Sequence, residues 1–160
     1  MQGITILAPI QSPNTDGINP DSCSNTRIED TYIISGDDCV AVKSGWDEYG
    51  ISYGMPTQHL IIRRLTCISP YSAAIALGSE MSGDTFKGIC ISNATIGMRV
   101  KAKKVPWTCT DIEGVTSGVV PKPCDLLPDQ GQHKIGMCTF PQDKLEIDKV
   151  ELKKCSYVTA

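Results

Sequence analysis

A chain of 160 residues is long enough to bury a sizeable core as one domain. Its net charge of −3 gives no electrostatic footprint for nucleic acid, and no apolar run approaches the roughly eighteen residues that span a bilayer. Aromatic residues make up only 6% of the chain while Ile, Val, Gly, Ser and Thr are plentiful, a mixture that favours stacked β-strands over a helical bundle.

Residues 1–9 lack the basic stretch and long apolar core of a signal peptide. Two acidic clusters follow, Asn14-Thr15-Asp16-Gly17 and Gly36-Asp37-Asp38-Cys39, with Asp16 and Asp37 set 21 residues apart. If that interval is one turn of a stacked parallel fold, the clusters lie on neighbouring strands about 4.8 Å apart. Three carboxylates then converge on one patch, as acid/base cleavage of a glycosidic bond requires: one carboxyl protonates the leaving oxygen and another activates water. Either cluster alone reads as a turn, because Asp, Asn and Gly tolerate tight backbone geometry. Adjacent strand residues point to opposite faces, so Asp37 and Asp38 can share a site only if the chain bends, and Gly36 permits a bend.

A weak repeat runs through Ile28-Glu29-Asp30-Thr31-Tyr32-Ile33, Ile62-Arg63-Arg64-Leu65-Thr66-Cys67 and Ile91-Ser92-Asn93-Ala94-Thr95-Ile96, at intervals of 34 and 29 residues. Repeats of this length suit a solenoid, whose units bury their faces only against their neighbours. With no ten-residue amphipathic helical stretch before Val105, the body reads as an all-β parallel β-helix. Residues 45–57, rich in Gly and aromatics, interrupt the repeat. Long ordered loops are usually functional, so this insertion is either a wall beside the acidic patch or a packing element anchored by Trp46. From about residue 104 the repeat gives way to Pro and Cys, which divides the chain into coils over 1–104 and a cap over 105–160.

Eight cysteines with only two histidines and no C-x-x-C pair argue for an oxidising compartment rather than zinc. In the tail, which has little apolar material, the expected pairs are Cys109 with Cys124 and Cys138 with Cys155, while Cys23 and Cys90, in strand contexts, are expected as buried free thiols. Asn93-Ala94-Thr95 is a glycosylation sequon.

At the two acidic clusters, with Asn19-Pro20-Asp21-Ser22 between them, the chain resembles the polygalacturonase family of glycoside hydrolases, pectin-cleaving enzymes with a right-handed parallel β-helix. Leu77-Gly78-Ser79-Glu80-Met81-Ser82-Gly83 resembles the version found in exo-acting and plant members. The resemblance implies Asp37 as general acid and Asp16 and Asp38 as the carboxylates that activate water, with inversion. It implies Asn14, Ser79 and Glu80 on the substrate side, and Cys39 paired with Cys67 beside the active site. An anionic substrate also needs cations; Lys43 is the main candidate, whereas Arg63 and Arg64 fit a solvated strand edge better. The implied setting is the extracellular cell wall, with a polysaccharide substrate, no cofactor, no metal and a monomeric chain.

Two departures from the family pattern stand out. Ser72-Ala73-Ala74 occupies the place of a frequent Gly-His-Gly, and His59 reads as structural. The family's Arg-Ile-Lys motif is missing where Asp84-Thr85-Phe86 runs almost directly into Gly88-Ile89-Cys90, although Arg99-Val100-Lys101 imitates it further on. A chain short of N-terminal coils and a central block is the expectation, with little or no hydrolase activity from these 160 residues alone, which leaves a catalytically inactive wall-associated binding or structural protein as the rival reading. A calcium-binding module is weaker still, because no Asp-x-Asp-x-Asp-Gly loop is present.

Overall fold

The computed structural model describes residues 1–78, 86–97 and 107–130. In chain order these form β1 (Thr5–Leu7), β2 (Ser24–Ile34), β3 (Val40–Val42), α1 (Asp47–Tyr53), β4 (Gln58–Ile68), β5 (Ile75–Leu77), β6 (Phe86–Ser92) and β7 (Ile112–Ser117). Every strand pairing among the described residues is parallel.

Two ladders organise the first 78 residues. In one, β2 lies between β1 and β4, with Ile6 opposite Ile33 and Ile33 opposite Cys67. In the other, Ile18 bridges Val40, and Val40 pairs with Ile75. The chain alternates between them, visiting β1, Ile18, β2, β3, β4 and β5 in turn. The 34-residue repeat read from the sequence is the register itself, since Ile28 pairs with Ile62. Between the ladders lies the core of Ile18, Ile28, Ile33, Cys39, Val40 and Val42, with Ile6, Leu60, Ile62, Leu65 and Cys67 packed against it. These are mostly β-branched side chains, which fit a pleated surface covered on its inner face.

The third repeat behaves differently. Among the described residues β6 pairs with β7, placing Ile91 opposite Thr116. Gly114 allows the approach, because a Cβ there would stand 2.1 Å from the Ile89 carbonyl oxygen. Parallel pairing therefore crosses residue 104, where the composition changes.

The insertion holds the one helix among the described residues. Its seven residues end at Gly54, whose left-handed φ of 63° lets its N–H reach the Gly50 carbonyl. Both ends are tied down. Gly45 N–H donates to Asp21 Oδ1 at 2.7 Å, Thr57 Oγ1 to the Lys43 carbonyl at 2.6 Å, and Thr57 N–H to Ser44 Oγ at 3.1 Å.

Disulfides join Cys39 to Cys67 and Cys109 to Cys124, as expected. Cys23 is a half-buried free thiol. Cys90 is not: it is disulfide-bonded. It lies half-buried on β6, so the strand context does not seal its thiol in the core. Cys138 and Cys155 lie outside the described residues.

Outside the apolar core Arg27, Arg63 and Arg64 gather around the buried Glu29, with nitrogen–oxygen distances of 3.6, 3.8 and 3.7 Å. Arg64 Nη2 also donates to Asp30 at 3.0 Å. Hydrogen bonds from Arg64, then from Gln2, hold the Asp30 carboxyl down from 3.8 to about 2. A depressed carboxyl stabilises the fold above its unfolded value and loses that contribution as pH falls through its folded value. Asp30→Asn should therefore lower the urea midpoint at pH 6, and the gap from wild type should close between about pH 4 and pH 2. Urea titrations across that range check this.

Candidate active site

The site is built where two neighbouring turns lie against each other. After β2 the chain bends at Gly36 and Asp37, as the adjacency of two aspartates demanded. Gly36 is required for contact as much as for bending: a Cβ there would sit 2.1 Å from the Ser12 carbonyl oxygen. Gly17 is equally confined, with its Cβ position 2.6 Å from both the Cys39 carbonyl oxygen and Ile33 Cγ2. With both side chains absent, the turns close through backbone bonds. Asp37 N–H donates to the Thr15 carbonyl at 3.1 Å, Gly17 N–H to Asp38 at 2.9 Å, and Ile18 N–H to Cys39 at 3.0 Å. Ser35, fully buried, donates its hydroxyl to the Thr15 carbonyl at 2.6 Å and accepts from Asp37 N–H at 3.2 Å.

This stacking brings one carboxylate oxygen from each of Asp16, Asp37 and Asp38 within 4.8 Å of the others. Each of the three is half-buried and each is held differently. Asp16 accepts Asp38 N–H on Oδ1 at 3.2 Å, and its Oδ2 lies 3.8 Å from Lys43 Nζ. Asp38 Oδ1 accepts from Ser72 Oγ at 2.6 Å and from Ala73 N–H at 2.9 Å. No described residue donates to the Asp37 carboxylate, which lines a cavity of about 500 Å³ together with Asn14, Gln11, Ser12 and Tyr71. The three oxygens are close enough to share one cation, and among the described residues Lys43 pairs with one of the three carboxylates, Asp16.

Lys43 also lies over the Trp46 ring, 5.9 Å from its centroid. Trp46 is 58% exposed, so it does not anchor the insertion in a core; it borders the acidic patch through Lys43. Asn14, with φ of 48°, stands on the cavity wall beside Asp37. Arg63 and Arg64 are engaged with Glu29 and Asp30 instead of the patch. His59 is exposed near the start of β4, nine residues and about 30 Å of extended strand from the end that adjoins the site. Ser79 and Glu80 lie outside the described residues, as do Arg99 and Lys101. Sequence reasoning missed Ser72, Ser35 and Tyr71. Ser35 had a signal, as a small polar residue directly before the Gly-Asp-Asp bend.

The profile of glycosyl hydrolases family 28 matches residues 1–154. The chain belongs to glycosyl hydrolases family 28. A probable polygalacturonase of Vitis vinifera is 48% identical over 251 residues, a match that takes in 98% of this chain and 51% of the relative. A polygalacturonase of Medicago sativa is 29% identical, over 97% of this chain and 35% of its own length. An exopolygalacturonase of Arabidopsis thaliana is 31% identical, over 63% of this chain and 23% of its own. The chain thus spans at most about half the length of these curated family 28 relatives. No solved structure matches it significantly. The Vitis match extends over 251 residues against 160 in this chain, so at least 91 of its positions have no counterpart here.

Because Gly36 touches backbone and not a flexible side chain, Gly36→Ala must push the two turns apart. Overpacking of this kind costs about 1–3 kcal/mol. The expected result is a urea-unfolding free energy lower by about that amount, with no such loss for Gly78→Ala, where a Cβ meets nothing within 4 Å.

Proposed function

We propose that this chain is a polygalacturonase-type hydrolase that cleaves galacturonic-acid glycosidic bonds in pectin. The observation that carries the reading is the convergence of Asp16, Asp37 and Asp38 within 4.8 Å from two sequence clusters. Asp37 is the proton donor: it faces the cavity and receives no hydrogen bond from the described residues, so its carboxyl is open to the glycosidic oxygen. Asp16 and Asp38, each tied to donors, orient a water molecule and accept its proton. The water oxygen bonds to the anomeric carbon as the glycosidic bond breaks, and the proton from Asp37 leaves on the departing sugar. Lys43, over Trp46, supplies positive charge for a uronate carboxylate. The intact trio favours this reading over an inactive wall protein.

Several finer features belong to the same proposal. The alternation between two parallel ladders over the first 78 residues fits a right-handed parallel β-helix; the division into coils over 1–104 and a Cys-rich cap over 105–160 belongs to the same proposal, with β7 of the cap pairing onto β6. The disulfides fit an extracellular, cell-wall setting, and the chain acts as a monomer on its polysaccharide. Ser79 and Glu80 contribute to substrate binding. Inversion is the proposed outcome because two carboxylates are left to hold the water.

The test is hydrolysis of polygalacturonate by the 160-residue chain, with the first-formed anomer of the new reducing end followed by proton NMR. Asp37→Asn should lower kcat by about 10²–10⁴-fold and leave KM within about twofold. An Asp37→Asn rate within tenfold of wild type overturns the acid assignment, and a retained anomer overturns the inverting step.

A further inference from the structure

We propose that Ser72 is a positioning residue for catalysis, holding the Asp38 carboxylate within the acidic trio; this rests on the hydrolase reading above. The 72–74 segment lies directly against the acidic turn. Cys39 N–H donates to the Ala73 carbonyl at 3.1 Å and Val40 N–H to Ala74 at 3.2 Å. Ser72 N–H donates back to Ser69 Oγ at 3.2 Å, a local turn that fixes the approach of the segment. From this platform two donors converge on a single oxygen, Asp38 Oδ1: the Ser72 hydroxyl at 2.6 Å and the Ala73 N–H at 2.9 Å.

A carboxylate needs only one such bond to cap a turn, and the Ala73 N–H already provides it. The second donor fixes the carboxylate plane. With Oδ1 occupied twice, Oδ2 is the oxygen left for the attacking water. Asp38 is further constrained through its own N–H to Asp16 Oδ1 at 3.2 Å, so the two water-activating carboxylates are aligned by one connected set of bonds. Ala73 has no side chain able to carry a proton, and none is needed when the hydroxyl beside it orients the carboxylate. In this arrangement Ser72 acts through Asp38, whose Oδ1 its hydroxyl holds.

The test compares Ser72→Ala and Ser72→Thr in the full chain, with kinetics on polygalacturonate and ¹H–¹⁵N NMR of the Ala73 amide. Displacement of a reacting group by even 1 Å costs about 10²-fold in rate, so Ser72→Ala should lower kcat about 10–100-fold with KM within twofold. Ser72→Thr, which keeps the hydroxyl, should recover kcat to within about threefold. The Ala73 amide proton should lie downfield, move markedly in Asp38→Asn and in Ser72→Ala, and stay near its wild-type position in Ser72→Thr. A Ser72→Ala kcat within twofold of wild type overturns the proposal, as does a threonine variant no better than alanine or an Ala73 amide indifferent to Asp38→Asn. Should the wild-type chain release no reducing ends, the hydrolase reading fails by that result; the amide shifts then decide whether Ser72 orients Asp38.

Discussion

The backbone contact between the 15–18 and 37–39 segments is the constraint on which everything near the site depends. Three hydrogen bonds of 2.9–3.1 Å lock these segments in parallel register, and they form only because two residues have no side chain. A methyl at Gly17 or Gly36 would collide with backbone oxygen at 2.6 or 2.1 Å. A backbone carbonyl cannot swing aside as the end of a flexible side chain can. The glycines therefore set the distance between turns, and the distance between turns sets the distance between carboxylates. Cys39, next to Asp38 in sequence, is joined to Cys67 on β4, which ties the same turn to the following strand.

Much of this was legible in the sequence because it depends on periodicity. The 21-residue interval between acidic clusters and the 34-residue interval between Ile28 and Ile62 are both distances along a parallel stack, and a stack converts sequence interval into spatial adjacency. The bend at Gly36 followed from strand geometry: two neighbouring aspartates cannot share a face without one. The family resemblance added the Cys39–Cys67 pair, which no spacing rule supplies.

What was not legible depends on direction. Read as letters, Ser72-Ala73-Ala74 is the loss of a histidine. In space its useful groups are a hydroxyl and a backbone N–H, and the N–H belongs to any residue at that position. The same limit applies to Arg63 and Arg64. They match the charge needed for a uronate, but they stand outside the apolar core and are drawn to Glu29 and Asp30. Lys43 carries the same charge and reaches the patch because it follows β3, directly after the acidic bend. Cys90 was misread for a related reason, since a strand assignment says nothing about which neighbour a half-buried cysteine meets.

Burial across the first ladder bears on how the chain relates to its longer relatives. Ile28 and Ile33, on the central strand, are fully buried, while their ladder partners Ile62 and Cys67 on β4 are only half-buried. Among the described residues β2 has a neighbour on each side, whereas β4 has one on a single side. In a parallel stack the inner face of each strand is completed by the next layer, so β4 has the residues of an interior strand in the position of a terminal one. The Vitis relative has at least 91 positions that this chain lacks within the matched stretch, enough for about three further repeats at the intervals seen here. The acidic trio does not depend on them for its geometry, because Asp16, Asp37, Asp38 and Ser72 all lie within the layers this chain retains.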